Sequence, residues 1–538
     1  MSPEMVFLYG PSGAGKNTVG RCLAEALELP FHDLDEQIAL HSGRSVAELF
    51  SAEGEASFRA RESNELSQLL DAEGRIAPKG GGVVALGGGA LLDPQNRALA
   101  ESHGPVLLLT APLAVLAARL QADSNPRPLL SGDLVEHLSG LLERRRAHYA
   151  SFPLQLDSAN LSPAQAAWQA QVRLGLFRPK SMGAYDVRIR LGGLDAAGVM
   201  LQERGLKGPI ALVSDANVAP LYAARVIASL QKAGYAASLV QIPAGEQEKT
   251  IHTLARLWDS FLAAGLERGS TVLALGGGVV SDLAGFAAAT YLRGVRWAAL
   301  PTTLLAMADA SLGGKTGSDL PQGKNLVGAF HPPSLVLADP EALASLPPGE
   351  LRSGLAEALK AGIIADPDLF ERCAALGDLA AGPFPAADLA EVVRRAVAVK
   401  VQVIEADPYE QGWRAVLNLG HTIGHAVELV SGFRLRHGES VAIGLALEAQ
   451  LAEDIGLAGP GLAATIRRAL QGLGLPVEIP PELDREAIIK AMGSDKKRAG
   501  GVLRFALPVR IGEARVGIEI DEARRRHALG IGTARTEP

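Results

Sequence analysis

The chain has 538 residues, a formal net charge of −7 and 48% hydrophobic residues, enough apolar material for more than one folded domain. This acidic balance, without a basic run, argues against a nucleic-acid-binding protein. Cys22 and Cys373 match no disulfide or metal spacing and predict a reducing cytoplasm. No apolar run approaches the roughly 18 residues needed to cross a bilayer, and the first ten residues lead straight into a predicted strand, so we expect no signal peptide.

A phosphate-binding loop is the first feature along the chain. Residues 5–9 (MVFLY) predict a strand, residues 10–18 (GPSGAGKNT) a glycine-rich loop and residues 19–29 a helix. This order is the context of a P-loop, in which backbone N–H groups cradle phosphates and the lysine, here Lys16, reaches the outer ones. Asn17 stands where a Ser or Thr hydroxyl usually binds Mg²⁺, although an amide oxygen can also ligate magnesium.

Charged and glycine-rich positions follow in the same half. A second strand is predicted to end in Asp33 and Asp35, whose side chains would point the same way and hold a metal-bound water and a substrate hydroxyl. Arg59 is suited to a carboxylate through its bidentate fork. Residues 85–89 (ALGGG) end another apolar strand, where a ligand can approach the backbone.

Two more arginines complete this set. Arg127 lies in the polar loop RPLL, which predicts a lid, and Arg145 lies in the predicted helix LLERRRAHY. Each signal alone is weak, because an exposed arginine is usually solvated. Taken in order, however, GPSGAGKNT, DLD, FR, GGG, RPLL and ERRRAHY resemble the shikimate kinase family over residues 1 to about 175.

This resemblance implies ATP-dependent phosphorylation of shikimate with Mg²⁺. The nucleotide and its magnesium would be held by Gly13, Ala14, Gly15, Lys16, Asn17, Thr18 and Arg127. Shikimate would be held by Asp35, Arg59, Gly88 and Arg145. Lys16 would stabilise the transferred phosphoryl group, and Asp33 would act as general base or metal organiser. Because of Asn17, an alternative is a module that has lost catalysis and serves as a binding or scaffolding domain.

The chain changes character near residue 180. Ser162, followed by proline, predicts the start of a helix that continues to Leu176. Residues 178–183 then form a short polar linker, and residues 185–191 predict a new strand by their alternation. We therefore expect a domain boundary here.

From Ile210 onward, the pattern of strand, helix and strand predicts a dinucleotide-type α/β unit without the usual G-x-G-x-x-G. Residues 276–282 (GGGVVSD) follow an apolar strand and open a helix, as a pyrophosphate site does, although a tight turn explains them nearly as well. Residues 243–249 and 300–303 end neighbouring predicted strands, where the ligands of open sheets gather.

Beyond residue 305, basic residues collect in glycine-flanked turns and short motifs. They are Lys315, Lys324, Lys360, Lys400, Arg414, Lys496 and Lys497. In an acidic chain this favours a small substrate with several negative charges, with scattered surface lysines as the alternative. Glu357 lies three residues before Lys360 on a predicted helix, so both side chains project to one side and Glu357 could offer an oxygen to a metal.

Three histidines in residues 417–440 predict that metal site. His421 and His425 are four residues apart and share one face of a helix, which Asn418 is predicted to cap. His437 returns after a glycine-containing turn. Imidazoles on a fixed face, joined by a third from a loop, are typical of zinc sites. The spacing does not decide which of the three bind.

In this half the motifs AGEQEK, GGGVVSD, LPTT, GGKTG, GKNLVGAF, SGLAEALK, LNLGHTIGHA, HGE and DKK resemble the 3-dehydroquinate synthases over about residues 185–520. The resemblance implies NAD⁺, a divalent metal (zinc or cobalt), and cyclisation of 3-deoxy-D-arabino-heptulosonate 7-phosphate to 3-dehydroquinate. The implied NAD contacts are Ala244, Gly245, Glu246, Gln247, Glu248, Lys249, Gly278, Val279, Val280, Ser281, Asp282, Thr302, Thr303, Lys315, Lys324, Ala342, Leu343, Ala344 and Ser345. Two of these, Ala244 and Ser281, depart from the family pattern.

The same resemblance assigns the metal to Glu357, His421 and His437 and turns His425 toward the substrate. The implied catalytic residues are Lys315, Lys360, His425 and Arg414. The implied substrate contacts are Asp309, Asn325, Lys400, Asn418 and Lys497, with Arg293 reaching the partner subunit's site in a homodimer.

We thus predict a P-loop NTPase domain (1–178) fused to a Rossmann-like NAD-binding α/β domain (184–345) and a mainly α-helical metal-binding domain (346–538). Metal-dependent polyol dehydrogenases share the nucleotide pattern but lack the lysines of GGKT and GKN. Related sugar-phosphate cyclases that make other rings are a nearer alternative. Fusion to the kinase argues against them, since both halves then act on one pathway to aromatic amino acids.

Overall fold

A computed structural model describes residues 5–70, 81–122, 133–378, 384–496 and 503–531. Two of the predicted site residues, Arg127 and Lys497, lie outside these ranges. The chain folds as two compact units, Met1–Arg178 and Pro179–Pro538. Among the described helices, none has the length and apolar character needed to cross a bilayer.

A parallel sheet forms the centre of the first unit. Its strands are β1 (Met5–Tyr9), β2 (Phe31–Asp33), β3 (Gly82–Ala85), β4 (Val106–Thr110) and β5 (Gln155–Asp157). They are ordered β2-β3-β1-β4-β5, with β1 in the middle. All five residues of β1 are buried, and because strand side chains alternate, Phe7 and Tyr9 enter one core while Val6 and Leu8 enter the other.

Helices cover both faces of this sheet. They are α1 (Lys16–Leu27), α2 (Leu34–Ser42), α3 (Val46–Leu70), α4 (Pro94–His103), α5 (Leu113–Gln121), α6 (Leu134–Ala150) and α7 (Pro163–Leu174), followed by the short strand β6 (Leu176–Phe177). Helix α7 begins at its predicted cap, Ser162, but ends two residues early because Gly175 adopts a left-handed conformation with φ 68°.

One local prediction in this unit is wrong. Asp35 does not end a strand, since β2 stops at Asp33 and α2 begins directly after it. The Asp33 carboxylate accepts hydrogen bonds from the N–H groups of Asp35 (3.0 Å) and Glu36 (3.4 Å). A capping aspartate of this kind starts a helix, which overrides the strand alternation.

The second unit begins as an α/β layer. Its strands are β7 (Asp186–Ile189), β8 (Ile210–Asp215), β9 (Ala237–Ile242), β10 (Thr271–Gly276), β11 (Arg296–Pro301) and β14 (Leu335–Ala338). They run parallel in the order β7-β14-β11-β10-β8-β9. The antiparallel hairpin of β12 (Lys315–Leu320) and β13 (Gly323–Phe330) is inserted between β11 and β14. The helices of this layer are α8 (Ala197–Glu203), α9 (Ala219–Lys232), α10 (Ile251–Ala263) and α11 (Gly278–Thr290).

From residue 348 onward helices predominate. They are α12 (Pro348–Ala365), α13 (Pro367–Leu376), α14 (Ala386–Ala406), α15 (His421–Val430), α16 (His437–Asp454), α17 (Leu462–Gly472), α18 (Arg485–Lys496) and α19 (Glu522–Ala528). A second antiparallel hairpin, β15 (Arg504–Arg510) with β16 (Glu513–Glu519), precedes α19.

Helices α15 and α16 carry the three histidines and pack closely. A Cβ added at Gly444 would lie 1.9 Å from the carbonyl oxygen of Gly420, so the contact requires glycine. The predicted cap is wrong, because α15 begins at His421 with Gly420 (φ 80°) before it, and Asn418 ends a separate 3₁₀ turn, Trp413–Asn418. The N–H groups at this end of α15 donate instead to the side chain of Glu448 on α16.

Candidate active sites

In the first unit, the described residues of the predicted nucleotide set line one cavity of about 580 Å³. Its lining includes Gly13, Ala14, Gly15, Lys16, Asn17, Thr18, Asp33, Asp35 and Gly88. Gly13 and Gly15 have φ of 83° and 92°, a left-handed conformation that glycine adopts without strain. Lys16 Nζ donates to the carbonyl oxygens of Gly10 (2.9 Å) and Pro11 (3.2 Å), which folds the ammonium over the loop.

Asn17 and Asp33 are in contact within this cavity. The Asn17 amide nitrogen donates to Asp33 Oδ2, which leaves the amide oxygen as the atom that residue 17 can offer to a cation. Burial and the negative charge of Asp35 raise the pKa of Asp33 to about 6, against the backbone N–H groups it accepts from. A carboxylate beside an amide oxygen is a donor set that suits Mg²⁺.

A smaller adjoining cavity of about 100 Å³ holds the four residues predicted for the phosphoryl acceptor: Asp35, Arg59, Gly88 and Arg145. The carbonyl oxygen of Gly88 accepts from Arg145 Nη1 (2.7 Å) and from the Tyr149 hydroxyl (3.1 Å). Asp35 and Gly88 line both cavities, so an acceptor in the small one would lie beside the phosphates in the large one.

Two residues of this site were missed by sequence reasoning. Glu62 is 1% exposed, and its Oε2 accepts from Arg59 Nη1 at 2.7 Å. Burial raises the pKa of Glu62 to about 7 although the charge of Arg59 opposes the shift. Arg119 lines the nucleotide cavity and donates to the Ser158 carbonyl at 2.7 Å. The sequence offered a signal for Glu62, since it lies three residues after Arg59 on a predicted helix. It offered no signal for Arg119.

In the second unit, the three histidines come together. One ring nitrogen each of His421, His425 and His437 lies within 4.8 Å of the others. Glu357 of α12 joins them, since its Oε1 lies 3.4 Å from His421 Nε2 and 3.3 Å from His437 Nε2. Both Glu357 oxygens are buried, and Oε2 is in ion-pair contact with Lys360. A buried carboxylate converging with imidazole nitrogens fits a zinc-type ion.

Burial and neighbouring charges shift the pKa values of the residues in this cluster. Burial alone would raise the pKa of Glu357, but Lys360, in ion-pair contact with it, and the histidines hold that pKa well below its ordinary value. Burial and the charge of Lys360 lower the pKa of His421. Burial would also lower the pKa of His437, yet its contacts with Glu357 and Glu428 raise it to about 9. The ring of His425 lies 4.8 Å from that of His421, on the exposed side of the cluster.

Four of the lysines predicted to bind an anionic substrate, and the predicted NAD contact Lys249, are each in contact with a carboxylate; the side chains of Lys496 and Lys497 lie outside the described residues. The pairs are Lys315 with Glu410, Lys324 with Glu246 and Glu428, Lys360 with Glu357, Lys400 with Asp309, and Lys249 with Asp282. Lys249 also donates to the Asn325 amide oxygen (2.5 Å), and the Asn418 amide donates to Glu410 (3.3 Å). The predicted residues are thus brought together in pairs, with their charge already balanced.

Arg414 differs from these lysines. It is 0% exposed, and its Nε and Nη2 have no hydrogen-bond partner among the described residues. Gly313 (φ 79°) lies against it, and a Cβ there would meet Nη2 at 2.6 Å. Burial lowers the pKa of Arg414 from an ordinary value too high for deprotonation near neutrality. A buried guanidinium with unused donors is a strong anion-binding group.

The predicted nucleotide segments follow the carboxyl ends of neighbouring strands. Residues 244–249 follow β9, Gly278–Asp282 open α11 after β10, and Thr302 and Thr303 follow β11. The contact between Lys249 and Asp282 ties the first two segments together. The Thr302 hydroxyl is buried without a hydrogen-bond partner among the described residues. Residues 342–345 lie in the 3₁₀ turn after β14, where Ser345 Oγ is 2.7 Å from the Tyr222 hydroxyl.

Arg293 lies apart from this edge. It is exposed in a left-handed turn (φ 67°) just before β11, whereas Thr302 follows the opposite end of that strand. Arg293 is therefore remote from its own unit's nucleotide edge.

Sequence reasoning also missed three buried or bridging glutamates of this unit. Glu410 contacts both Lys315 and Asn418. Glu448 of α16 is 0% exposed and accepts from the N–H groups of Gly420 (2.5 Å) and Ile423 (3.1 Å), so it caps α15 across the helix pair. Glu428 of α15 contacts His437 and Lys324. Glutamates in loops, like Glu410, and on helices, like Glu428 and Glu448, are usually solvated, so the sequence gives little signal for them.

Comparison with protein families matches both units. Residues 239–353 and 354–498 match the N-terminal and C-terminal models of 3-dehydroquinate synthase, and residues 12–173 match shikimate kinase. A 3-dehydroquinate synthase from a Synechococcus species is 45% identical over 343 residues, which are 62% of this chain and 92% of that protein.

Solved structures resemble the second unit as well. A 2-epi-5-epi-valiolone synthase from Streptomyces hygroscopicus with NAD⁺ and Zn²⁺ bound is 31% identical with a TM-score of 0.58, covering 64% of this chain and 95% of that one. A 2-deoxy-scyllo-inosose synthase with NAD⁺ and Co²⁺ is 24% identical with a TM-score of 0.60, covering 66% and 100% respectively, and shares the fold.

Proposed function

The chain belongs to the 3-dehydroquinate synthase family and carries a shikimate kinase domain before the synthase part of the sequence. We therefore propose that each of the two units catalyses one of the two reactions. The chain is a bifunctional enzyme of the shikimate pathway. Its first unit phosphorylates shikimate with ATP, and its second cyclises 3-deoxy-D-arabino-heptulosonate 7-phosphate to 3-dehydroquinate with release of phosphate.

The convergence of Glu357 with His421 and His437 is the observation that carries the synthase assignment. These three side chains would hold a divalent metal ion, and the relatives with bound Zn²⁺ or Co²⁺ support this. When bound, the ion supplies a Lewis acid for a substrate hydroxyl, and NAD⁺ supplies a reversible hydride acceptor, so the cofactor is not consumed.

The remaining side chains bind and orient the substrate. Arg414, buried with unused N–H donors, takes one anionic group. Lys360 and Lys400 can each exchange a carboxylate contact for a substrate oxygen. His425 lies on the exposed side of the cluster, where its imidazole nitrogen can accept and return the proton next to the substrate ketone.

The NAD⁺ site would be built by the segments after β9, β10 and β11. The first turn of α11 offers N–H groups to the pyrophosphate, and the buried Thr302 hydroxyl offers a further donor. Ser281, where the family pattern has glycine, is buried in the same turn. Its side chain adds bulk at this point, so we expect an effect on affinity and none on the chemistry.

In the kinase unit, Lys16 and the loop backbone bind the nucleotide phosphates. Asn17 and Asp33, already in contact, would hold Mg²⁺ between them. Asp35, Arg59 and Arg145 orient the acceptor in the smaller cavity. Phosphoryl transfer requires mainly positioning and neutralisation of charge, and this arrangement supplies both.

We also propose a homodimer, in which the exposed Arg293 contributes to the active site of the partner subunit. The position of Arg293, beyond the opposite end of β11 from Thr302, supports a role outside its own chain. The two unpaired cysteines, Cys22 and Cys373, support a reducing compartment such as the cytoplasm.

Two assays on one preparation test the assignment. The purified chain should release phosphate from 3-deoxy-D-arabino-heptulosonate 7-phosphate in the presence of NAD⁺ and Zn²⁺, and should form shikimate 3-phosphate from ATP and shikimate. Exhaustive chelation with restored Mg²⁺ should abolish only the first activity. Phosphate release that survives chelation would contradict the metal assignment. Identification of the ring product separates 3-dehydroquinate synthesis from that of other cyclases.

A further inference from the structure

Glu428 lies on the same face of α15 as two of the histidines. Positions 421, 425 and 428 are spaced i, i+4 and i+7, so they form one stripe along the helix. The Glu428 side chain is 9% exposed. A carboxylate buried to this degree requires partners that compensate for the loss of water.

Its two oxygens have different partners. Oε2 accepts from His437 Nδ1 at 3.3 Å, and Oε1 accepts from Lys324 Nζ at 3.0 Å. Because one oxygen lies against the Lys324 ammonium, Glu428 is an ionised carboxylate, and a carboxylate acts only as a hydrogen-bond acceptor.

The contact with His437 decides which nitrogen of that ring carries a proton. Because Glu428 can only accept, the proton lies on Nδ1. The other nitrogen, Nε2, lies 3.3 Å from Glu357 Oε1, on the side of the ligand cluster. The ring thus turns Nε2 toward Glu357 and His421, where this nitrogen, once it has lost its proton, would offer its lone pair to a bound ion.

We propose that Glu428 is a positioning residue that fixes the tautomer and the orientation of His437. This inference rests on the proposed metal set of Glu357, His421 and His437. Lys324 holds the second oxygen of Glu428, and its Nζ also lies 3.4 Å from Glu246 Oε1 in the proposed NAD segment. Replacing Lys324 should therefore weaken NAD⁺ binding more than metal binding, whereas replacing Glu428 should do the reverse.

The experiment compares Glu428→Ala and Glu428→Gln with wild type in the full-length chain. Zn²⁺ affinity is measured by competition with a chromogenic chelator, and coordination by the visible spectrum of the Co²⁺-loaded protein. Loss of such an outer hydrogen bond costs about 10- to 100-fold in metal affinity, which we expect for Ala together with a changed spectrum. Gln keeps an accepting oxygen, so we expect partial rescue. Glu371→Gln, at an exposed position of α13, is the matched control.

The outcomes separate this inference from the proposed function. If Glu428→Ala binds Zn²⁺ as tightly as wild type with an unchanged Co²⁺ spectrum, while His437→Ala loses the metal, the role of Glu428 is wrong and the metal set stands. If His437→Ala also keeps the metal, the metal set itself is wrong. If the Ala variant does not fold, the Gln variant decides. Weaker binding with a changed spectrum supports the inference, and wild-type values for both overturn it.

Discussion

The two active sites receive anionic substrates by different means. In the first unit, one continuous stretch, residues 12–19, supplies much of the lining of a cavity of about 580 Å³, with backbone N–H groups and one lysine as donors. In the second, side chains from β13, α12, α14, α15 and α16 converge, and most are already paired with one another. A site made from backbone tolerates a substituted side chain such as Asn17. A site made from paired side chains depends on each member.

Removal of a proposed metal ligand should give the largest effect. In His437→Ala we expect loss of bound Zn²⁺ and a fall in synthase kcat of about 10³-fold or more, because the ion supplies several kcal/mol of transition-state stabilisation. Metal content by atomic emission and phosphate release measure the two quantities. Kinase activity in the same sample should stay at the wild-type value.

His425→Ala is the paired variant that distinguishes ligand from substrate residue. We expect it to retain Zn²⁺ and to lose about 10²- to 10⁴-fold in kcat, as removal of an acid–base group does. Equal loss of metal in His425→Ala and His437→Ala would instead show that the histidine pair on α15 binds the ion.

The lysine of the phosphate loop should give the next largest effect. Lys16→Met removes the side-chain cation of a site otherwise made from backbone, and we expect kinase kcat to fall by about 10²- to 10³-fold. ATP-dependent formation of shikimate 3-phosphate measures it. Synthase activity serves as the internal control, and a loss of both activities would point to misfolding.

Acid should inactivate the kinase by about tenfold between pH 7 and pH 5. With a pKa of about 6, Asp33 is about nine tenths ionised at pH 7 and about one tenth at pH 5, and the carboxylate is the form that binds a cation. The pH profile of kcat/KM for shikimate measures this. A flat profile over this range would exclude an essential role for ionised Asp33.

Asn17→Ser should give the smallest effect. It restores the hydroxyl usual at this position of a P-loop, yet the loop backbone, Lys16 and Asp33 stay in place, so we expect kinase kcat to change by less than about tenfold. Steady-state kinetics with ATP and shikimate measure it. Wild-type protein that binds shikimate without turnover, combined with an active Ser variant, would support the scaffolding alternative.

The sequence predicts a site built from one continuous stretch better than a site built from several distant elements. The strand, loop and helix near the start of the chain are local, and the structure has them in the expected order, although the helix spans Lys16–Leu27 and not residues 19–29. The pairing of His421 with His425 is also local, since it follows from one helical turn. Where a local prediction failed, a neighbouring residue had a stronger preference for starting the helix. Asp33 started a helix that removed Asp35 from its strand, and Gly420 took the position expected for Asn418.

Contacts between distant elements were beyond sequence reasoning. Glu357 lies 64 residues before His421, so only the packing of α12 against the histidine helices shows that its Oε1 reaches both rings. The partners of Lys315, Lys324 and Lys400 were missed for the same reason, because their carboxylates come from another element or a distant turn. Glu428 and Glu448 resemble ordinary solvated helix residues until α15 and α16 are brought together.

The carboxylate beside each lysine bears on how ligands enter and leave the synthase site. Since the opposite charges of each pair largely cancel, these lysines add little long-range field, and we expect the rate of substrate capture to change little with ionic strength. Attraction then arises at contact, when the several negatively charged oxygens of the substrate replace the carboxylates that are paired with the lysines. A lone inorganic phosphate makes too few such exchanges to be held firmly, so the same pairing that balances the pocket favours departure of the product.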